Sequence, residues 1–132
     1  MQNEIRNMGE DKPLKCFQDL NAWQESRKLY RIIFQATKLF PKEEVFSSVS
    51  QMRRAALSVC SNLAEGFGRS TIPDKVHFYI MARGSLTELQ NQIILVQDVA
   101  MMPTDTVHKA LLQAEVAHKL IVGLIKATEK RK

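Results

Sequence analysis

Residues 51–69 read QMRRAALSVCSNLAEGFGR, and the period of this stretch decides the fold. Arg54, Ser58, Ser61, Glu65 and Arg69 recur every three or four residues, so they share one face of a helix. Met52, Ala56, Val59, Leu63 and Gly66 recur on the opposite line as an apolar seam. A helix that only filled a core would not need so ordered a polar face. The strip is therefore a candidate for joining helices or protomers.

The same period extends in both directions. Upstream, Trp23, Ser26, Tyr30, Ile33, Thr37 and Phe40 form a seam on a helix expected from near Asp19 to Leu39. Asp19 or Asn21 is its candidate cap, and Pro41 stops it. Leu29, Ile32, Phe34, Ala36 and Leu39 widen its apolar surface beyond one stripe. That surplus fits a protomer interface or, alternatively, a broader core. The second helix is expected from Ser47 or Ser48 to Phe67 or Gly68, with glycine supplying a left-handed cap. Ser70 or Thr71 caps a third helix, with Pro73 and Asp74 in its first turn. Tyr79, Ala82, Leu86, Leu89, Ile93, Val96 and Ala100 form its seam, and Pro103 closes it. A fourth helix opens near Thr104 with a seam of Val107, Leu111, Ala114, His118, Ile121, Ile125 and Thr128.

Helices of roughly 20–30 residues joined by short connections must run antiparallel to their neighbours. The fold class is all-α, an antiparallel up-down-up-down four-helix bundle with helices crossing at about 20°. Residues 17–132 form the bundle domain and residues 1–16, polar and without period, a mobile arm. If the second and third helices turn near Ser70 and Thr71, opposed residue numbers sum to about 142. Arg54 then lies near Glu88, Ser58 near Gly84 and Glu65 near His77. Gly84 in mid-helix costs about 1 kcal/mol relative to alanine, so close backbone approach at Ser58 is its expected use.

The chain of 132 residues holds one core, and its 45% apolar and 25% charged content is that of a globular domain. Net charge is +5, enough to favour weak contact with polyanions without marking a dedicated nucleic-acid binder. The longest basic block, Lys130-Arg131-Lys132, also suits a solvated helix end. Cys16 and Cys60 lie far apart with no CxxC, which excludes a thiolate zinc site. Cys60, beside the seam, reads as a small reduced core residue. With no leader pattern and no apolar run near the ~20 residues of a membrane span, a cytoplasmic location is the default and no membrane is involved.

Motifs for chemistry are lacking. Glu115 and His118 make a single ExxH, whereas di-iron bundles use two such pairs and two more carboxylates. His118 reads instead as a hydrogen-bonded bundle histidine. No GxSxG or SxxK occurs, and Gly66-Phe67-Gly68 closes a helix rather than opening one after a strand. No catalytic residue, metal or cofactor is assigned, and no enzymatic activity is expected. For nucleic acid, the candidate cations are Arg53, Arg54, Arg69, Lys75, Lys126, Lys130, Arg131 and Lys132. Without interleaved exposed aromatics, binding would rest on backbone phosphates and depend strongly on salt.

The pattern of Gln51, Arg53-Arg54-Ala55, Ser58, Asn62, Ala64-Glu65-Gly66 and Arg69 resembles the 23S ribosomal RNA intervening-sequence proteins, the S23-like four-helix bundles. Ala82, Gly84-Ser85-Leu86 and Glu88-Leu89 continue it, and Phe17, Leu20, Trp23 and Phe40-Pro41 precede it. The family commonly carries proline where this chain has Cys60. The resemblance implies a four-helix bundle assembled into a ring, with homopentamers known in the family. It also implies genes sometimes found within ribosomal RNA insertions, and a fold similar to the accessory protein of diversity-generating retroelements, a relative that handles nucleic acid.

Two functions follow. The first is a non-enzymatic homo-oligomer that binds RNA or DNA through displayed cations. The second is a protein-interaction scaffold. In it the face of Arg54, Ser58, Ser61, Asn62, Glu65 and Arg69, with Gly84, Ser85 and Glu88 opposite, holds subunits or a partner together.

Overall fold

The computed structural model describes residues 13–131. Most of the arm expected over residues 1–16, and Lys132, lie outside them. A short 3-10 turn, Phe17–Asp19, leads into α1 (Asn21–Thr37), followed by α2 (Ser50–Phe67), α3 (Ile72–Asp98) and α4 (Thr104–Glu129). Four long helices and no strand are present among the described residues.

Local chemistry sets the boundaries. Asp19 does not cap α1. Its Oδ2 accepts from the amides of Lys15 at 2.9 Å and Cys16 at 3.2 Å, closing the 3-10 turn one step earlier. Those amides hold its carboxyl below the usual carboxylate range. The second helix is entered through a 3-10 turn, Lys42–Glu44, and a π-helical turn, Val45–Val49. There Glu44 accepts from the hydroxyls of Ser47 at 2.9 Å and Ser48 at 2.7 Å. These serines therefore close the entry turn, and α2 proper begins at Ser50. Thr71 caps α3 as expected, its hydroxyl accepting from the Asp74 amide at 3.3 Å, with Pro73 in the first turn.

Helix ends differ from expectation in one respect. Gly68 has φ −78°, an ordinary right-handed value, so it supplies no left-handed cap to α2. Lys75 reaches back instead, donating to the Phe67 carbonyl at 2.6 Å. The left-handed residue is Ala100, at φ 59°, after α3 has already ended at Asp98. Its amide bonds to the Gln97 carbonyl at 2.9 Å and that of Met101 to the Val96 carbonyl at 3.0 Å, a Schellman turn.

The core lies between the helices, with α2 against α3, α3 against α4, and α1 against both α2 and α4. Met52, Val59, Leu63, Leu86, Leu89, Ile93, Val107 and Ile121 are fully buried. Each such side chain contributes about 1.5–3 kcal/mol of burial. On α4 the stripe is small: Ala110, Ala114 and Ala117 are fully enclosed, which lets neighbours approach closely. Leu111 and His118, expected on this stripe, are only half-buried, and His118 makes no hydrogen bond among the described residues. On α1 the buried line is Ala22, Ser26, Leu29, Ile33, Ala36 and Thr37. Leu29 thus belongs to the core, and only Leu39 of the surplus apolar set is strongly exposed. Thr37 and Thr128 satisfy their buried hydroxyls on the carbonyls of Ile33 and Leu124, each at 2.7 Å.

The α2–α3 contact fixes the register. Ser58 and Ser85 share a hydrogen bond at 2.8 Å, one residue away from the anticipated pairing with Gly84. That shift turns Gly84 outward, where a Cβ would meet nothing within 4 Å. Gly66 provides the close approach instead: a Cβ there would lie 2.7 Å from Tyr79 Cε1 and 3.0 Å from Phe78 Cβ.

α2 runs unbroken through Cys60. Burial raises its thiol pKa from 9.0 to about 11, opposed by the nearby Arg27 charge. Burial likewise raises the Tyr79 phenol to about 12.

Two predictions follow from this packing. Gly66→Ala should destabilise the fold by about 1–3 kcal/mol through overpacking against Tyr79. Gly84→Ala should stabilise it by about 0.5–1 kcal/mol through helix propensity; urea melts of both variants measure the pair. The second concerns alkali. The folded state holds the Cys60 proton more tightly than the unfolded chain, so its contribution is intact below pH 9.0 and lost as pH rises through about 11. In urea melts at stepped pH, Cys60→Ala should soften that loss, and in native protein Cys16, which is exposed, should be alkylated before Cys60.

Candidate functional site

The polar strip of α2 divides into two layers. The inner layer clasps α3: Asn62 donates to the Ser58 carbonyl at 2.9 Å and its hydroxyl at 3.0 Å, and Ser58 in turn meets Ser85. The outer layer, Arg54, Ser61, Glu65 and Arg69, is exposed. Glu65 and Arg69 pair along the helix at 3.0 Å, and the Arg69 guanidinium lies 4.6 Å from the centre of the Phe78 ring. Exposed pairs of this kind contribute little, so the pair orients charge more than it stabilises. Arg54 and Glu88 form no ion pair; Glu88 accepts from Gln92 at 3.4 Å on its own helix. His77, placed opposite Glu65 by the hairpin register, is exposed, and its ring stands edge-on to Phe78 at 5.6 Å.

The eight candidate cations do not form one cluster. Arg53 locks α2 to the end of α1. It donates from Nε to the Thr37 hydroxyl at 2.9 Å and from a terminal nitrogen to the Phe34 carbonyl at 3.2 Å, with its guanidinium 3.9 Å over the Phe34 ring. The Phe34 carbonyl is one of the four that a helix end leaves unpaired, so Arg53 acts as a C-terminal cap from a neighbouring helix. Lys75 does the same for α2 at the Phe67 carbonyl, and its ammonium lies 5.4 Å from the Phe67 ring centre. Burial and then the Arg131 charge lower its pKa. Arg54, Lys126, Lys130 and Arg131 are exposed, and their side chains make no hydrogen bond or ion pair among the described residues. The fold brings Lys75 and Arg131, far apart in sequence, to one cleft at the end of the molecule.

Sequence reasoning missed two features. Aromatic rings line α1 beside cations: Arg27 stands 5.5 Å from the Trp23 ring centre and Lys38 5.4 Å from that of Phe34. The i, i+4 spacing of Trp23 and Arg27 could have revealed the first pair. The second feature is apolar exposure. Phe46 in the π-helical turn is 94% exposed, far beyond what a buried-stripe helix leaves in water. It lines a groove with Leu95 of α3 and with Gln92, whose Oε1 is buried without a partner. Nothing in the period of the sequence signals this, because the π turn moves Phe46 off the helical line.

Among the described residues no group of three or more His, Cys, Asp or Glu side chains could hold a metal ion. No helix there is long and apolar enough to cross a membrane.

No curated protein matches the chain. Among solved structures, a crystal structure of a protein with unknown function from the S23 ribosomal protein family of Bacteroides thetaiotaomicron superposes with a TM-score of 0.72. It is 17% identical, and the match covers 80% of this chain and 95% of that one, a likeness of fold alone. The family model for the 23S rRNA-intervening sequence protein matches residues 18–123, from before α1 into the last third of α4. The chain belongs to the 23S rRNA-intervening sequence protein family.

Proposed function

We propose that this protein is a non-enzymatic, cytoplasmic, up-down-up-down four-helix bundle that assembles into a homo-oligomeric ring and holds nucleic acid, RNA foremost, by its phosphates. The observation that carries this reading is that four of the candidate cations, Arg54, Lys126, Lys130 and Arg131, are exposed and make no side-chain hydrogen bond or ion pair among the described residues, on a chain of net charge +5. A cation already bonded to a carbonyl must give up that bond to meet a phosphate; these four need not. Repetition of the set around a ring raises avidity without any new contact. A pentamer is the ring size that the family resemblance favours.

Apolar exposure supports the assembly half of the reading. Phe46, Leu95 and Val99, at 94%, 53% and 64% exposure, sit toward one end of the α2–α3 pair. Exposed groups of that size are costly in water and suit burial against another surface. The second reading, a scaffold without nucleic acid, rests on this same patch. It assigns Arg54 and Glu65 to contacts between proteins.

Filter binding to a structured RNA at low and high salt, with solution mass measured in parallel, separates the readings. The full-length chain should bind at low salt and release as salt rises. Arg54→Ala should reduce the log–log salt slope by about one per chain engaged, with assembly unchanged. Arg53→Ala should instead lower stability, by about 1–3 kcal/mol, because it removes the two bonds that tie α2 to the Thr37 hydroxyl and the Phe34 carbonyl. Dissociation of the oligomer by Arg54→Ala or Glu65→Ala favours the scaffold. An intact oligomer that holds no RNA at low salt contradicts the nucleic-acid reading.

A further inference from the structure

The cleft shared by Lys75 and Arg131 has a volume of about 320 Å³ and lies where the ends of α2, α3 and α4 meet. That is at the lower end of the size of small-molecule sites, roughly 300–1,000 Å³. Its walls include Leu20, Phe67 and Leu124, and its polar side chains are Lys75, Tyr79, Arg131 and Thr128, whose hydroxyl already donates to the Leu124 carbonyl at 2.7 Å.

Tyr79 is the informative residue. It is only 2% exposed, and its hydroxyl has no hydrogen-bond partner among the described residues. Packing of the ring against Gly66 explains an aromatic residue here but not its hydroxyl, since phenylalanine would fill the same space. It is the ring that is buried; the hydroxyl is not among the buried unpartnered polar atoms and lies open to the cleft, free to donate to a ligand there. Lys75 uses one of its three N–H donors on the Phe67 carbonyl, and Arg131, with five donors and no acceptor, uses none on a described residue. No described carboxylate lines the cleft. Among the described residues two cations thus face the cleft without an acid between them; burial, and then the Arg131 charge, loosen the Lys75 proton. An anion placed among these three groups would relieve the repulsion and give the phenol its acceptor.

We propose that this cleft binds a small organic anion, with one carboxylate or phosphate group held by Lys75, Arg131 and the Tyr79 hydroxyl and an apolar body seated against Leu20, Phe67 and Leu124. The assignment shares Arg131 with the nucleic-acid reading but goes beyond it, because a polyanion on the outer surface does not require Tyr79, and Tyr79→Phe tests the cleft alone. It gives the bundle a place to hold a metabolite-sized ligand.

Titration calorimetry on the full-length chain tests it with three probes: octanoate, phenyl phosphate and inorganic phosphate. Octanoate or phenyl phosphate should bind one per chain and more tightly than inorganic phosphate; which of the two is tighter tells carboxylate from phosphate. Tyr79→Phe, which keeps the ring against Gly66, and Arg131→Gln, at an exposed helix end, should each weaken binding about tenfold with thermal melting preserved. Absence of binding by both organic probes overturns the proposal. So does binding that neither variant weakens, and so does inorganic phosphate binding as tightly as both organic anions.

Discussion

One missing Cβ governs how α2 and α3 meet. At Gly66 any side chain would fall within 3 Å of the Tyr79 ring, so the two helix axes can close only with glycine at that place. The rest of the pairing follows from that point outward. One direction leads to the Ser58–Ser85 bond and its Asn62 support. The other leads to the Phe67 carbonyl and the lysine that caps it. Tyr79 itself is carried to the end of the molecule, with its ring packed and its hydroxyl turned to the cleft. Packing, capping and the candidate ligand site are therefore consequences of one close approach.

The positive charge is organised by the same logic of helix ends. A helix terminus leaves carbonyls without partners, and this chain supplies two of those partners from adjacent helices, Arg53 to α1 and Lys75 to α2. Such cations hold tertiary structure while balancing the negative end of each helix dipole. Of the candidate cations, those exposed without such a bond among the described residues are Arg54 and the residues along the end of α4. Net charge alone does not reveal this division, because it counts a capping arginine and a displayed one alike.

The helices, their number and their order were legible because each seam repeats every three or four residues across several turns. The Thr71 cap was legible because a hydroxyl before Pro73 and Asp74 has one efficient use. The family motif was legible from its residues, and the match over residues 18–123 agrees with it. Details that hinge on a single residue of register were not. The hairpin estimate was one residue off, which exchanged Gly84 for Ser85 and sent the glycine to solvent. Asp19 and Gly68 have the composition of caps, yet competing local bonds from Lys15 and Cys16, and from Lys75, decided their places. Leu29 looked surplus because the period was drawn through Trp23 and Tyr30, whereas the buried line runs through Ala22 and Leu29. The Lys75–Tyr79–Arg131 cleft had no local signal at all, since its residues come from opposite ends of the α3–α4 pair.

The register of α2 against α3 is the point on which the account stands, and a double-mutant cycle at Ser58 and Ser85 reads it directly. Ser58→Ala and Ser85→Ala, measured singly and together by urea denaturation, should couple by about 0.5–1 kcal/mol. Strictly additive effects would mean that the two hydroxyls do not meet in solution and would contradict the pairing.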